Sequence, residues 1–278
     1  MRIKYIFSSR HTRTIDPHNR HRESFPHIVR GMIRTCDLVL EVIDARFLKD
    51  TRNMELEKYI AEEGKKVIYV LNKIDLVDVS ELKEKVEEFE LKPYVFISCS
   101  ARRGIKDLRD RIKIEAKRLK QERKTRVGIV GYPNTGKSSL LNILVGKRFA
   151  ITGAEAGVTR GVQMVKLTKD ILILDTPGVI PDKEVRGKDA NMRKKHAIAS
   201  IKRYDSVKDP DFVVLGVMKQ NPGLLEKYYD INALGDVEVL LDELGKKKNL
   251  VKRGNIIDRD RVARLVLKEW QDGKIRKN

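Results

Sequence analysis

The segment Gly131-Tyr-Pro-Asn-Thr-Gly-Lys-Ser138 constrains this chain most, because it joins an apolar run, Val127-Gly-Ile-Val130, to a helix-like run, Ser138-Ser-Leu-Leu-Asn-Ile-Leu-Val145. A strand that turns through glycines into a helix gathers backbone N–H groups and the positive end of the helix around one point, which suits a phosphate. Lys137 is placed to reach the β- and γ-phosphate oxygens and Ser138 to coordinate magnesium, within a contact set of Asn134, Thr135, Gly136, Lys137, Ser138 and Ser139. A second signature, Asn72-Lys-Ile-Asp75, directly follows the run Val67-Ile-Tyr-Val-Leu71. Asp75 can accept hydrogen bonds from N1–H and N2–H of guanine, which adenine cannot offer, while the Lys73 stem can cover the ring and Asn72 completes the turn. A small GTPase ordinarily carries these two signatures in the opposite order, so the chain reads as a circular permutation of one nucleotide site.

The rest of the site is expected from shorter signals. Ser98-Cys-Ser-Ala101 follows the run ending at Ile97, where backbone N–H groups at Ser100 and Ala101 can close over the guanine edge. Asp175-Thr-Pro-Gly178 ends the run Ile171-Leu-Ile-Leu174; Asp175 can hold magnesium through water, and Gly178 can offer its N–H to the γ-phosphate. Thr159, within Gly157-Val-Thr-Arg-Gly161, is the candidate switch hydroxyl on the metal. Lys137, Thr159 and Gly178 are therefore the groups expected at the reacting phosphate.

Six apolar runs alternate with helical periodicities, which implies an α/β domain with a mostly parallel six-stranded sheet. The alternating run Val162-Gln-Met-Val-Lys-Leu167 belongs at an edge. Helical faces recur at Val79, Leu82, Val86 and Phe89 and at Ile105, Leu108 and Ile112, the second helix running on into a basic bridge, Lys117 to Arg126. Beyond residue 182 the strand signal disappears. Val237, Leu240, Leu241 and Leu244 follow a cap at Asp236 and stop at Gly245; Val262, Leu265, Val266 and Trp270 follow a cap at Asp258. The organisation expected is a P-loop GTPase domain over 1–182, opening with a basic arm over 1–34, and a small all-α domain over 183–278.

Charge supplies the argument for RNA. The chain holds 59 Lys and Arg against 40 Asp and Glu, a formal net charge of +19. A thermophile-like surface raises both signs and leaves that imbalance unexplained, whereas neutralising phosphates releases condensed counterions. No run has the length of a membrane span and the N-terminus lacks a signal-peptide core, so a soluble intracellular protein with no membrane partner is expected. The compartment expected is the cytoplasm, and no DNA partner is expected. Cys36 and Cys99 read as free thiols in or near the core.

Taken with Asp44-Ala-Arg46 and the stretch Ile257 to Gly273, these motifs resemble the circularly permuted GTPases of the YlqF/RbgA family across nearly the whole chain. The resemblance implies a ribosome-assembly factor for the large subunit that takes GTP and GDP with magnesium and binds rRNA through its helical domain. Asp44 and Arg46 also suit a structural ion pair. Val179 stands where many GTPases carry the glutamine that orients attacking water, which implies slow intrinsic hydrolysis. The family implicates a histidine of the N-terminal arm instead, and both His21 and His27 are candidates. Asn134 resembles the residue that binds potassium in potassium-dependent relatives. Two other readings stay open: an RNA-binding chaperone with GTP as a structural ligand, and a GTPase acting on tRNA or another non-ribosomal partner.

Overall fold

A computed structural model of the protein describes residues 25–120, 122–146, 163–175 and 195–276. The first part runs α1 (Phe25–Thr35), β1 (Leu38–Asp44), α2 (Leu48–Thr51), α3 (Met54–Glu62), β2 (Lys66–Asn72), α4 (Val79–Glu88), β3 (Tyr94–Phe96) and α5 (Ile105–Arg118). It continues with β4 (Thr125–Val130), α6 (Lys137–Val145), β5 (Gln163–Lys166) and β6 (Ile171–Asp175). The strands form one sheet in the order β3-β2-β1-β4-β6-β5. Every pairing is parallel except that of β5, which lies antiparallel against β6 at the edge, where its alternating sequence places it.

The chain lays β2 and β3 to one side of β1, then crosses to set β4 on the other. That reversal opens a crevice beyond the carboxyl ends of β1 and β4, the position where open parallel sheets bind ligands. Leu38, Leu40 and Val42 of β1 pack under α5 and α6, in one cluster with Ile105, Leu108, Ile112, Leu140 and Leu144. Val39 faces the opposite side, against Val29 and Ile33 of α1 and Leu56 and Ile60 of α3. Both faces are covered, which is why the strands read as continuous apolar runs.

Helix α1 occupies the end of what reads in sequence as a basic arm without apolar period. Val29, Met32, Ile33 and the following Cys36 are buried at helical spacing, a stripe too short to stand out among the basic residues before it. Residues 1–24, with His21, lie outside the described residues.

The C-terminal part comprises α7 (Pro210–Gln220), α8 (Leu224–Tyr229), α9 (Val237–Lys247), a ribbon of β7 (Val251–Lys252) and β8 (Ile256–Ile257), and α10 (Arg259–Gln271). The helices close around their own apolar core. Asp236 accepts hydrogen bonds from the N–H groups of Glu238 and Val239, and Asp258 accepts one from Arg261, so both expected caps are present. Three details depart from the sequence reading. Gly245 does not end α9, which continues to Lys247; a Cβ at this glycine would collide with Ile257, so it marks close packing instead of a stop. In α10 the buried stripe is Val262, Ala263, Val266, Leu267 and Trp270, and Leu265 is only half-buried. The two-residue ribbon adds a β element to a part expected to be all helical. The expected boundary at 182/183 falls outside the described residues.

Candidate functional site

β4 ends at Val130, and the chain turns through Gly131 and Gly136, with φ of 142° and 104°, into α6. At both positions a side chain is excluded twice over. The backbone lies in the left-handed half of φ space, and a Cβ would strike the Val42 carbonyl at Gly131 or the Asn72 amide at Gly136. Gly136 offers α6 no side-chain cap, so the first N–H groups of that helix, including those of Lys137, Ser138 and Ser139, point into the crevice as anion donors. Lys137 is buried, and its Nζ donates to the Tyr132 carbonyl at 2.6 Å, which sets the ammonium across the mouth of the loop. Thr135 Oγ1 donates to the same carbonyl at 3.0 Å and is itself buried. A donor cradle that rejects a Cβ, with a lysine across it and the Ser138 hydroxyl on its first helical turn, fits a nucleotide phosphate with a magnesium ion.

Asn72, the last residue of β2, and Lys73 just after it fasten this loop from 61 to 63 residues away. Asn72 Nδ2 donates to the Thr135 carbonyl at 2.8 Å, and its Oδ1 accepts from the Cys99 N–H at 3.1 Å. One buried amide therefore joins the phosphate loop, the β2 turn and the loop after β3. Lys73 adopts left-handed φ of 67° and places Nζ between the Asn134 carbonyl, at 2.9 Å, and Asp44 Oδ2, at 2.7 Å.

Asp75 is held by two hydroxyls of a loop from which the sequence suggested only backbone N–H groups. Ser98 Oγ donates to its Oδ1 at 2.6 Å and Ser100 Oγ to its Oδ2 at 3.0 Å. Burial pushes this carboxyl up, but the two hydroxyls and the nearby Arg276 outweigh it, so Asp75 titrates below the usual carboxylate range. Each ionised oxygen keeps a further lone pair for a guanine N–H. The Ala101 N–H donates to Ser98 Oγ at 3.0 Å, so the loop expected over the base edge also orders the carboxylate expected to read it. Cys99, half-buried beside Lys73, has its thiol pushed up to about 12 by burial.

Asp44, at the carboxyl end of β1 and in register with Asn72, does form the ion pair its spacing to Arg46 suggested. Burial alone would raise its pKa; Lys73 and Arg46 together reverse this and hold it well below the ordinary carboxylate value. Asn134 has left-handed φ of 62°, and its Nδ2 donates to the Ser200 carbonyl at 2.9 Å. Tyr132 is buried beside Ala199 and Ile201. Thus Asn72, Lys73, Asp75, Asn134, Thr135, Gly136, Lys137, Ser138, Ser139, Ser100 and Ala101 converge on one end of the sheet. Thr159 and Gly178 lie outside the described residues; Asp175 ends β6 and His27 lies in α1, and for these two only the backbone is described. Among the described residues no helix is long and apolar enough to cross a membrane.

Comparison with known proteins finds GTPases. A family described as 50S ribosome-binding GTPase matches residues 126–243, and one described as RsgA GTPase matches residues 35–181. An uncharacterized GTP-binding protein of Methanocaldococcus jannaschii is 41% identical over 252 residues, 89% of this chain and 65% of that protein. A guanine nucleotide-binding protein-like protein of Arabidopsis thaliana is 32% identical, and the chain spans only 48% of its length. Ribosome biogenesis GTPase A of Bacillus cereus is 31% identical over 261 residues, 90% of this chain and 87% of that protein. The crystal structure of GNP-bound YlqF from T. maritima superposes with a TM-score of 0.61 at 25% identity, covering 88% of this chain and 92% of that one.

Proposed function

Since this chain belongs to the YlqF/RbgA family of circularly permuted GTPases, we propose that it binds GTP, hydrolyses it slowly when alone, and serves in the cytoplasm as an assembly factor for the large ribosomal subunit. It engages rRNA in the GTP state and leaves on hydrolysis. The observation that carries the nucleotide reading is the pair of bonds from Asn72 and Lys73 to the Thr135 and Asn134 carbonyls, which makes the base reader and the phosphate loop one site despite their inverted order.

In that site Asp75 selects guanine and the Lys73 stem covers it. The α6 N–H groups and Lys137 hold the phosphates, with Gly178 offering its N–H to the γ-phosphate. Ser138, Thr159 and Asp175 are the residues to hold magnesium, which when bound neutralises charge on the β- and γ-phosphoryl oxygens. Val179 cannot orient water, so the slow step awaits His21 or His27 or a group supplied by the subunit. Asn134 is the residue to meet potassium through its amide oxygen, its amide N–H being engaged by Ser200. Loss of the γ-phosphate acts on Asp175 to Gly178 and, through 179–183, on the helical part.

The rRNA face is assigned to the basic stretches 183–203 and 246–253, the second of which is exposed on α9 and the ribbon at Lys246, Lys247, Lys248, Lys252 and Arg253. The net charge of +19 supports a polyanionic partner. Single-turnover GTP hydrolysis with and without purified large subunits tests the reading. Acceleration by subunits supports it, whereas equal rates favour an RNA chaperone with GTP as a structural ligand. An RNA affinity that is flat between low and moderate salt defeats the rRNA assignment.

A further inference from the structure

The end of helix α10 is tied to the nucleotide site by two routes that meet at the phosphate loop. On one route Arg46 places Nε and Nη2 on the two Asp44 oxygens, at 3.0 and 2.8 Å, and extends Nη1 to the Trp270 carbonyl at 3.1 Å. That carbonyl lies in the last turn of α10, where it also accepts the Gly273 N–H at 3.1 Å and where positive charge is favoured. Asp44 then holds the Lys73 ammonium, which reaches the Asn134 carbonyl. On the other route Trp270 Nε1 donates to the Ile198 carbonyl at 3.0 Å, and Ser200, two residues on, accepts from the Asn134 side chain. The contacts form a closed ring through Asp44, Arg46, Trp270, the 198–200 segment, Asn134 and Lys73. Phe47 packs against the Trp270 ring with centroids 5.9 Å apart, filling the inside of the junction.

We propose that Asp44 and Arg46 are positioning residues for the base-reading lysine, and that through them guanine-nucleotide occupancy and the seating of helix α10 on the sheet domain reinforce each other. The inference rests on the guanine-nucleotide reading above. The physical basis is that Lys73 has a stem to cover the base and an ammonium to fasten the loop, and only a fixed anion under the ammonium holds both at once. Asp44 is buried, so its orientation depends on the Arg46 fork, and Arg46 is anchored by α10. A ligand that stabilises one arrangement of Lys73 therefore stabilises the seated helix, and the seated helix returns the same factor to the ligand.

Trp270 is the only tryptophan of the chain, so its emission reports the junction directly. The experiment measures GDP affinity by calorimetry and Trp270 emission with and without saturating GDP, in the wild-type full chain and in Asp44→Asn and Arg46→Lys. Arg46→Lys keeps a positive charge beside Asp44 and so protects the fold, but an ammonium lacks the fork to serve Asp44 and the Trp270 carbonyl together. The expected result is an emission change on GDP binding in the wild type, which shrinks in both variants as GDP binding weakens by about tenfold. A folded variant with wild-type GDP affinity and an undiminished emission change reduces the ion pair to a structural one and overturns the proposal. Wild-type protein that binds GDP with no change in Trp270 emission also overturns it, while leaving the nucleotide reading intact. Failure of the wild type to bind GDP at all overturns both.

Discussion

Asn72 and Leu244 are both buried, yet they hold different regions of the molecule by different means. Asn72 spends its amide on two bonds to loops 27 and 63 residues away, and its contribution depends on their geometry. Leu244, in α9, contributes apolar area to a cluster with Leu240, Val262, Val266 and Trp270. The carboxyl edge of the sheet is thus a set of directional polar links between loops, whereas the helical part is a core whose energy follows burial. Directional links give a site its specificity with little tolerance for misplacement; burial gives stability and tolerates shifts. Glu41 and Asp44, three residues apart on β1, repeat the contrast within one strand. Asp44 is satisfied by two cations, while Glu41 Oε2 has no hydrogen-bond partner among the described residues.

The sharpest test of the polar edge is Asp75→Asn, which swaps an acceptor pair for an acceptor and a donor. Preference should move from GTP toward xanthosine triphosphate by about 10³ or more, read by competitive nucleotide binding; unchanged guanine selectivity breaks the assignment. Leu244→Ala should come next, costing about 3 kcal/mol in chemical denaturation while leaving GDP affinity nearly unchanged. Asn72→Ala should reverse that pattern. It strands the Thr135 carbonyl and the Cys99 N–H, so GDP affinity should fall by about 2 kcal/mol with a smaller loss of global stability. If both variants lose stability and affinity in the same proportion, the distinction between the regions fails.

Glu41 gives the smallest effect and the only one set by pH. Burial first, and then the charge of Glu57, push its pKa up to about 8, against the Asn53 N–H and Arg52, which pull it down. The native state therefore binds a proton that the unfolded chain releases, and stability falls as pH rises from the ordinary carboxylate value of 4.5 toward about 8. Glu41→Gln does not titrate, so its stability relative to wild type should grow by about 1.4 kcal/mol for each pH unit in that window. Denaturation midpoints at pH 6 and pH 7.5 check this; a constant gap would mean Glu41 is ionised throughout.

Much of the sheet was legible because strands buried on both faces must be apolar at nearly every position, and the exception at Val162 to Leu167 marks the edge. Helix α1 was not, since Val29, Met32 and Ile33 are a short stripe at the end of a basic segment. Gly245 misled because a glycine that ends a helix and a glycine that admits a neighbour look alike in one dimension. In the site, Asn72, Lys73, Asp75 and Lys137 were legible from local patterns. Ser98 as a holder of Asp75, and Trp270 as a neighbour of Arg46, were not, because the partners lie 23 and 224 residues apart.

The linear chain determined which chemical groups are available and which short turns present them: the glycines that permit the phosphate loop, the carboxylate proposed to read a base, the apolar runs that become strands, and an excess of positive charge. These follow from local sterics, periodicity and composition, which need no knowledge of distant neighbours. Only the folded arrangement decided that Asp44 serves Lys73, that Asn134 faces Ser200, and that the last turn of α10 closes on the sheet. Such pairings depend on how strands order and helices seat, and a hydrogen bond exists only where donor and acceptor come within about 3 Å in a suitable orientation.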